Sequence, residues 1–316
     1  MTSYFSTKIQ AALDFKQAMG KDIKTHAIYL KNFDCFCTMH YPDASILSKE
    51  IAWDWVYSPS HKKRNSGVNN RIYSIRFLGE YLVAIGDDAY IFPDLMTSNK
   101  QTFSQYIFTD DELRRFFTAT DNLPTSSQNP FQQKIAPVVF RLIYTCGLRP
   151  NEGRELKSEN INFDNGEILI TNTKHQKERL VVMSDDMLEL CRLYNHYLRL
   201  EMTGKSEFFF PMQNGDCYTT AQIRNLFKKC WRLANPGVSE LPSVRIYDLR
   251  HRFASTVLNR WIDEKRDLYA MLPYLRAYMG HLDLSATEYY IHLLPENLIK
   301  SPGINWSGLE SLIPEV

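Results

Sequence analysis

One dipeptide, Asn165-Gly166, constrains this chain more than any other feature. Asn-Gly suits the two left-handed positions of a type I′ turn, so it marks a hairpin. It separates ENINF from EILITNT, and a polar loop, KHQKE, then leads to RLVVMS. Three short antiparallel strands are expected here. Around this island the apolar residues recur at helical spacing. The expected fold is therefore mainly α with a small antiparallel β-sheet.

Four helices are expected before the island. They cover 3–18, 25–39, 45–57 with Trp53 and Trp55, and 67–85 with Ile72, Ile75 and Leu78. Together they read as a small bundle. SPSHKKRNSG between the third and fourth is loop by composition. Thr109 with Glu112 forms a capping box that opens a new helix. Residues 132–146 read as a buried helix, which Gly147 breaks; Pro150 suits the first turn of a short helix after it. Further helices are expected at 185–203, from the Thr219/Gln222 box to about 234, at 247–260 and at 266–279. Ser285 and Glu288 suggest a last capping box. The organisation read from this is a helical domain over 1–97, a linker over 98–106, an α+β domain over 107–292 and a tail over 293–316.

The chain has 316 residues, 44% hydrophobic and 23% charged, which excludes disorder as its main state. No run of eighteen apolar residues occurs, so no membrane span or membrane partner is expected. The start, MTSYFSTKIQ, lacks the apolar stretch of a signal peptide. Six scattered cysteines suit a reducing compartment, and a cytoplasmic, nucleoid-associated location is expected. Cys35, Cys37 and His40 lie close together without a second ligand pair, so they read as packing residues. Residues 1–105 carry 12 Lys and Arg against 10 Asp and Glu, leaving 25 against 26 in the remainder. With a net charge of only +1, a case for nucleic acid must rest on local clusters.

Four local features carry chemistry. Arg149, in CGLRPNEGREL, stands at a helix start, where it can pair with Glu152 or face a phosphate. Lys174 sits in the polar hairpin loop TNTKHQKERLVV, with Lys177 and Arg179 close by. YDLRHRFAST holds Arg250 and His251. GHLDLSATEYYIH holds His281, Tyr289, Tyr290 and His292. Taken singly, each has an ordinary reading as a salt bridge, a solvated charge or a core aromatic.

In order, the set resembles the tyrosine recombinase (phage integrase) family, with an Xer-like two-domain layout. The likeness covers roughly 106–292, and the first domain resembles the family's helical core-binding domain. The resemblance implies catalytic roles for Arg149, Lys174, Arg250 and His281, and makes Tyr290, nine residues after His281, the nucleophile. It implies a site-specific DNA recombinase that forms a 3′-phosphotyrosine link and frees a 5′-hydroxyl, with no metal or other cofactor. Integration or excision of mobile DNA, or resolution, would be its outcome. Its partner would be double-stranded DNA, bound as a homo- or hetero-tetramer, with a monomer or weak dimer when free. The tail would dock on a neighbouring protomer. Two alternatives share the same motifs: a non-catalytic DNA-binding accessory member, and a type IB topoisomerase-like activity.

One position departs from the family pattern. Tyr247 stands three residues before Arg250, where a histidine is usual. A phenol can hold a phosphate oxygen but is a poor base at pH 7. His251 lies about 100° further round the same helix and can substitute only if the fold aims it there.

The chemistry suits these residue types. Two guanidinium forks can spread the charge of a phosphoryl transition state. A lysine on a loop can protonate the leaving oxygen. Ionising a phenol at pH 7 costs about 4 kcal/mol, which neighbouring arginines should lower. Lys62, Lys63, Arg64, Arg71 and Arg76 form a basic run with no acid before Glu80. They are expected, with Lys177 and Arg179, to contact DNA phosphates.

Overall fold

A computed structural model describes residues 3–58, 65–94, 105–125, 131–171, 178–202, 204, 206–288 and 290. The backbone forms two compact units, 1–103 and 104–316. Lys62, Lys63, Arg64, Lys174, Lys177, Tyr289, most of the expected linker and the whole tail lie outside the described residues.

The first unit holds α1 (Ser6–Ala18), α2 (Lys24–His40), α3 (Lys49–Tyr57) and α4 (Asn65–Ala84). Apolar stripes on the four helices meet in one core, where Phe33 and Trp55 pack edge to face at 5.2 Å. The third helix starts four residues later than its apolar pattern suggests. Ser48 caps it by accepting a hydrogen bond from Ile51 N at 3.2 Å, while Leu47 pairs as a bridge with Ala89. Cys37 is buried in this core, as a packing residue should be, but Cys35 and His40 are exposed.

The second unit is built on α6 (Gln132–Thr145), whose flanks are covered by α5 (Asp110–Asp121), α8 (Asp185–Glu201), α9 (Thr220–Ala234) and α10 (Ile246–Asp263). The boxes at Thr109/Glu112 and Thr219/Gln222 both form, each with reciprocal side-chain to backbone bonds. The short α7 (Pro150–Arg154) follows α6, and α11 (Leu268–Met279) and α12 (Ser285–Glu288) close the chain's described part. Asp283, rather than Ser285, takes the backbone N–H of Ala286, at 3.2 Å. A second apolar cluster joins α10 and α11 and includes Tyr290.

The sheet has two strands among the described residues, not three: β1 (Glu167–Ile170) and β2 (Arg179–Val182), antiparallel, with Glu167 opposite Val182 and Ile170 opposite Arg179. ENINF contributes a single bridge, Ile161 to Ile168, after a 3₁₀ turn at 158–160. The reason is local. Asn162 Oδ1 accepts from Asp164 N at 2.9 Å, an Asx turn that bends the chain away from a ladder. No helix among the described residues is long and apolar enough to cross a membrane.

Candidate active site

The site forms where α7, β2, α10 and the turn after α11 converge. Gly147 makes the first approach possible. It sits at φ +60° after α6, and a Cβ there would lie 2.5 Å from the Phe253 ring. The tight turn exposes the Gly147 carbonyl to α10 and sets Arg149 just ahead of α7. Gly280 ends α11 in the same left-handed conformation, at φ +65°. Its carbonyl accepts a hydrogen bond from Arg149 Nη2.

Glu152 organises the arginines. Its carboxylate accepts from Arg149 N at 2.8 Å and Arg149 Nη1 at 2.7 Å. It also accepts from Arg179 Nη1 and Nη2, at 2.9 and 2.7 Å. Burial alone would raise the Glu152 pKa, but the bonds and charge of Arg179, then those of Arg149, outweigh it and bring the group down to about 2. Arg149 is thus paired with Glu152 and borders the cluster around Arg250.

Arg250 is fully buried. Its Nη1 donates to Gly147 O at 2.6 Å and its Nη2 to Met279 O at 2.6 Å. Nη2 also faces His281 Nε2 at 2.9 Å. Among the described residues, no carboxylate forms an ion pair with it and its Nε has no hydrogen-bond partner. Burial, with repulsion from Arg149, depresses its pKa.

An arginine can only donate, so His281 Nε2 is an acceptor here and the ring proton sits on Nδ1. From there it donates to the buried Thr287 hydroxyl at 2.8 Å. Burial, then the charges of Arg250, Arg149 and Arg179, push the His281 pKa down to about 4, so the ring is neutral at pH 7.

Tyr290 is 2% exposed. Its ring stacks on His281, with centroids 6.1 Å apart and planes 11° apart. Its hydroxyl lies 3.0 Å from His251 Nδ1. The arginines do favour its phenolate, as expected, but burial dominates and pushes the pKa up to about 12. The Tyr247 ring packs against His251, centroids 4.9 Å apart and planes tilted by 59°, and stands 6.0 Å from the Arg250 guanidinium.

The structure therefore brings together Arg149, Tyr247, Arg250, His281 and Tyr290. Two expected phosphate contacts are placed otherwise. Arg179 is a strut: its side chain is 8% exposed, held by Glu152 and by a bond from Nε to Tyr278 O at 2.8 Å. Arg71 is buried, and its Nε donates at 2.9 Å to Val56 O, an orphan carbonyl at the end of α3. Arg76 remains at the surface, paired with Glu80 at 2.8 Å.

Three residues or groups escaped the motif reading: Thr287 as the partner of His281, Arg179 as the partner of Glu152, and the outer face of α9. Arg224, Lys228, Lys229 and Arg232 are all exposed on that helix, which carries no acidic residue. A count of charges per helix would have found the last.

Residues 107–297 match the phage integrase family. A putative integrase/recombinase of Sinorhizobium fredii, y4rB, is 26% identical over 302 residues, covering 93% of this chain and 94% of that protein. The tyrosine recombinase XerC of Staphylococcus saprophyticus is 22% identical, covering 93% and 95%. Among solved structures, the XerH site-specific recombinase in a post-cleavage complex with its palindromic difH substrate superposes with a TM-score of 0.62 at 18% identity, over 90% of this chain and 80% of that one. The Tn1549 transposon integrase with circular-intermediate DNA gives 0.61 at 18% identity, over 90% and 94%. The folds agree and the family match spans more than half the length: this chain belongs to the phage integrase family.

Proposed function

We propose that this protein is an active site-specific DNA recombinase in which Tyr290 attacks a DNA phosphodiester and carries the 3′-phosphate while a 5′-hydroxyl is freed. One observation carries the reading: Arg250 is a fully buried cation whose Nε has no hydrogen-bond partner, and which has no carboxylate partner, among the described residues. A buried charge left uncompensated is costly, and a fold keeps one where a bound anion completes it. A phosphodiester seated against Arg250 and Arg149 supplies that anion next to the Tyr290 hydroxyl.

On this reading the two arginines hold the non-bridging oxygens and stabilise the charge that gathers on them. His281, fixed by Thr287, contributes a polar contact beside Arg250. Lys174 protonates the leaving 5′-oxygen. The covalent link retains the diester's energy, so a partner strand's 5′-hydroxyl can reseal it without ATP. The exposed cations of α9 join Lys62, Lys63, Arg64, Arg76 and Lys177 as candidate phosphate contacts. Work on two duplexes calls for a tetramer on double-stranded DNA, in the cytoplasm at the nucleoid.

A second reading, an accessory member that binds DNA without cleaving it, is favoured by the enclosure of Tyr290 and by Tyr247 in place of histidine. Trapping separates the two. The protein is incubated with nicked duplexes tiled across the DNA flanking its own gene, then denatured. A covalent protein–DNA band supports the recombinase, whereas specific binding without such a band supports the accessory role.

A further inference from the structure

We propose that His251 accepts the proton of Tyr290 as the phenol attacks phosphorus. This rests on Tyr290 being the nucleophile. Arg250 and His251 are consecutive on α10, so their side chains leave the helix about 100° apart. Arg250 reaches the Gly147 and Met279 carbonyls, and His251 reaches Tyr290. The two side chains flank the hydroxyl from different directions. The histidine expected three residues before Arg250 is replaced by Tyr247, yet an imidazole still meets the nucleophile, one helical turn further on.

The direction of the bond follows from the chemistry of the pair. The Arg250 guanidinium favours the Tyr290 phenolate electrostatically, and the phenol O–H is the proton to be given up. His251 Nδ1 stands 3.0 Å away, and the ring is 5% exposed. A neutral imidazole protonated at Nε2 presents Nδ1 as the acceptor. Burial, then the charges of Arg245 and Arg250, bring His251 down to about 3, so at pH 7 it is the free base.

The charged and titratable groups facing it are Arg245 at the N-cap of α10, Tyr247 and Arg250 from α10, His281 from the turn after α11, and Tyr290 itself. A phosphodiester bound to Arg250 offsets one of the cations that keep His251 deprotonated. Its proton affinity therefore rises when substrate is seated, which couples activation of the nucleophile to DNA binding. In the step, the Oη–H bond breaks and the proton moves to Nδ1. The Oη–P bond forms, the P–O5′ bond breaks, and the 5′-oxygen leaves with a proton from Lys174. In resealing, the attacking 5′-hydroxyl gives its proton back to Lys174 as the O5′–P bond forms, the Oη–P bond breaks, and the His251 imidazolium returns its proton to the departing Tyr290 oxygen.

The test uses duplexes with sulfur in place of the bridging 5′-oxygen at the phosphodiester where wild-type protein forms its adduct. A thiolate leaves without an acid, so the rate reports the nucleophile side alone. His251→Gln keeps a hydrogen-bond acceptor but cannot carry a proton. Its adduct formation should fall on the order of 10²-fold. Binding of the same duplex by fluorescence anisotropy should be unchanged. The rate of His251→Ala should recover with added imidazole. Wild-type protein should show a normal solvent deuterium isotope effect, a measurement that needs no variant to fold. A wild-type rate in His251→Gln, or an isotope effect of unity, overturns the role of His251 while leaving Tyr290 as nucleophile. Absence of any wild-type adduct overturns the nucleophile reading and this inference with it.

Discussion

Glu152 and Arg179 meet through two parallel bonds, with their side chains only 6% and 8% exposed. The pair links α7 to β2, and Arg149 joins it from the other side. It ties the hairpin to the cluster around Arg250, so the charge that matters for position here is a carboxylate rather than a lysine or arginine.

Glu152→Gln should therefore cost stability as well as activity. The folded group sits at about 2 against an ordinary 4.5. Because the folded pKa is depressed, its contribution is complete above about 4.5 and is lost as pH falls toward 2. The gap, at about 1.36 kcal/mol per pH unit, is roughly 3 kcal/mol. Urea unfolding at pH 7 should show the variant less stable by about that amount, and the two proteins should converge only as pH approaches 2. An equal stability at pH 7 would remove the clamp from the account.

Thr287 positions His281. Thr287→Val removes the acceptor of the Nδ1 proton at nearly constant volume and should lower adduct formation roughly 10-fold or more, by analogy with the loss of orienting partners behind functional histidines. Thr287→Ser should restore it. If valine and serine variants behaved alike, the hydroxyl would have no part in the site.

The first unit carries its own titration. His26 is 1% exposed against Tyr73 and Phe77, and neither ring nitrogen has a hydrogen-bond partner among the described residues. Burial, then the charge of Lys16, lowers its pKa from 6.5 to about 4. The unfolded chain binds that proton first, so stability falls as pH drops from 6.5 to 4, by roughly 3 kcal/mol in full. His26→Leu should flatten the dependence of thermal midpoint on pH over that window. An unchanged slope would mean that other groups set it.

Replacing Arg224, Lys228 and Arg232 together with Gln should reduce the salt slope of duplex binding by up to about 3, near 0.9 per phosphate contact. Arg71→Ala should instead lower the thermal midpoint, because it leaves the Val56 carbonyl buried without its donor, and should leave the salt slope as it was. A change of slope with Arg71 alone would reverse that assignment.

The fold was largely legible because its signals are local. The Thr109/Glu112 and Thr219/Gln222 boxes, the left-handed Gly147 and Gly280, and the helical stripes each follow from neighbouring residues. The third strand was not, because one Asn162 side chain competes with the ladder. Motif order identified the residues that cluster with Arg250. Charge alone misread Arg71 and Arg179, since a sequence does not say whether an arginine faces water or a buried carbonyl. The meeting of His251 with Tyr290 spans 39 positions, and only the packing of α10 against the chain after α11 brings it about.

The most direct measurement is peptide mapping of the trapped adduct. The covalent complex is digested, and the phosphotyrosyl peptide is sequenced by mass spectrometry, for wild type, Tyr290→Phe and Tyr289→Phe. The account predicts a DNA 3′-phosphate on Tyr290, complete loss of adduct in Tyr290→Phe and its retention in Tyr289→Phe. An adduct that survives Tyr290→Phe, or one mapped to Tyr289, contradicts it.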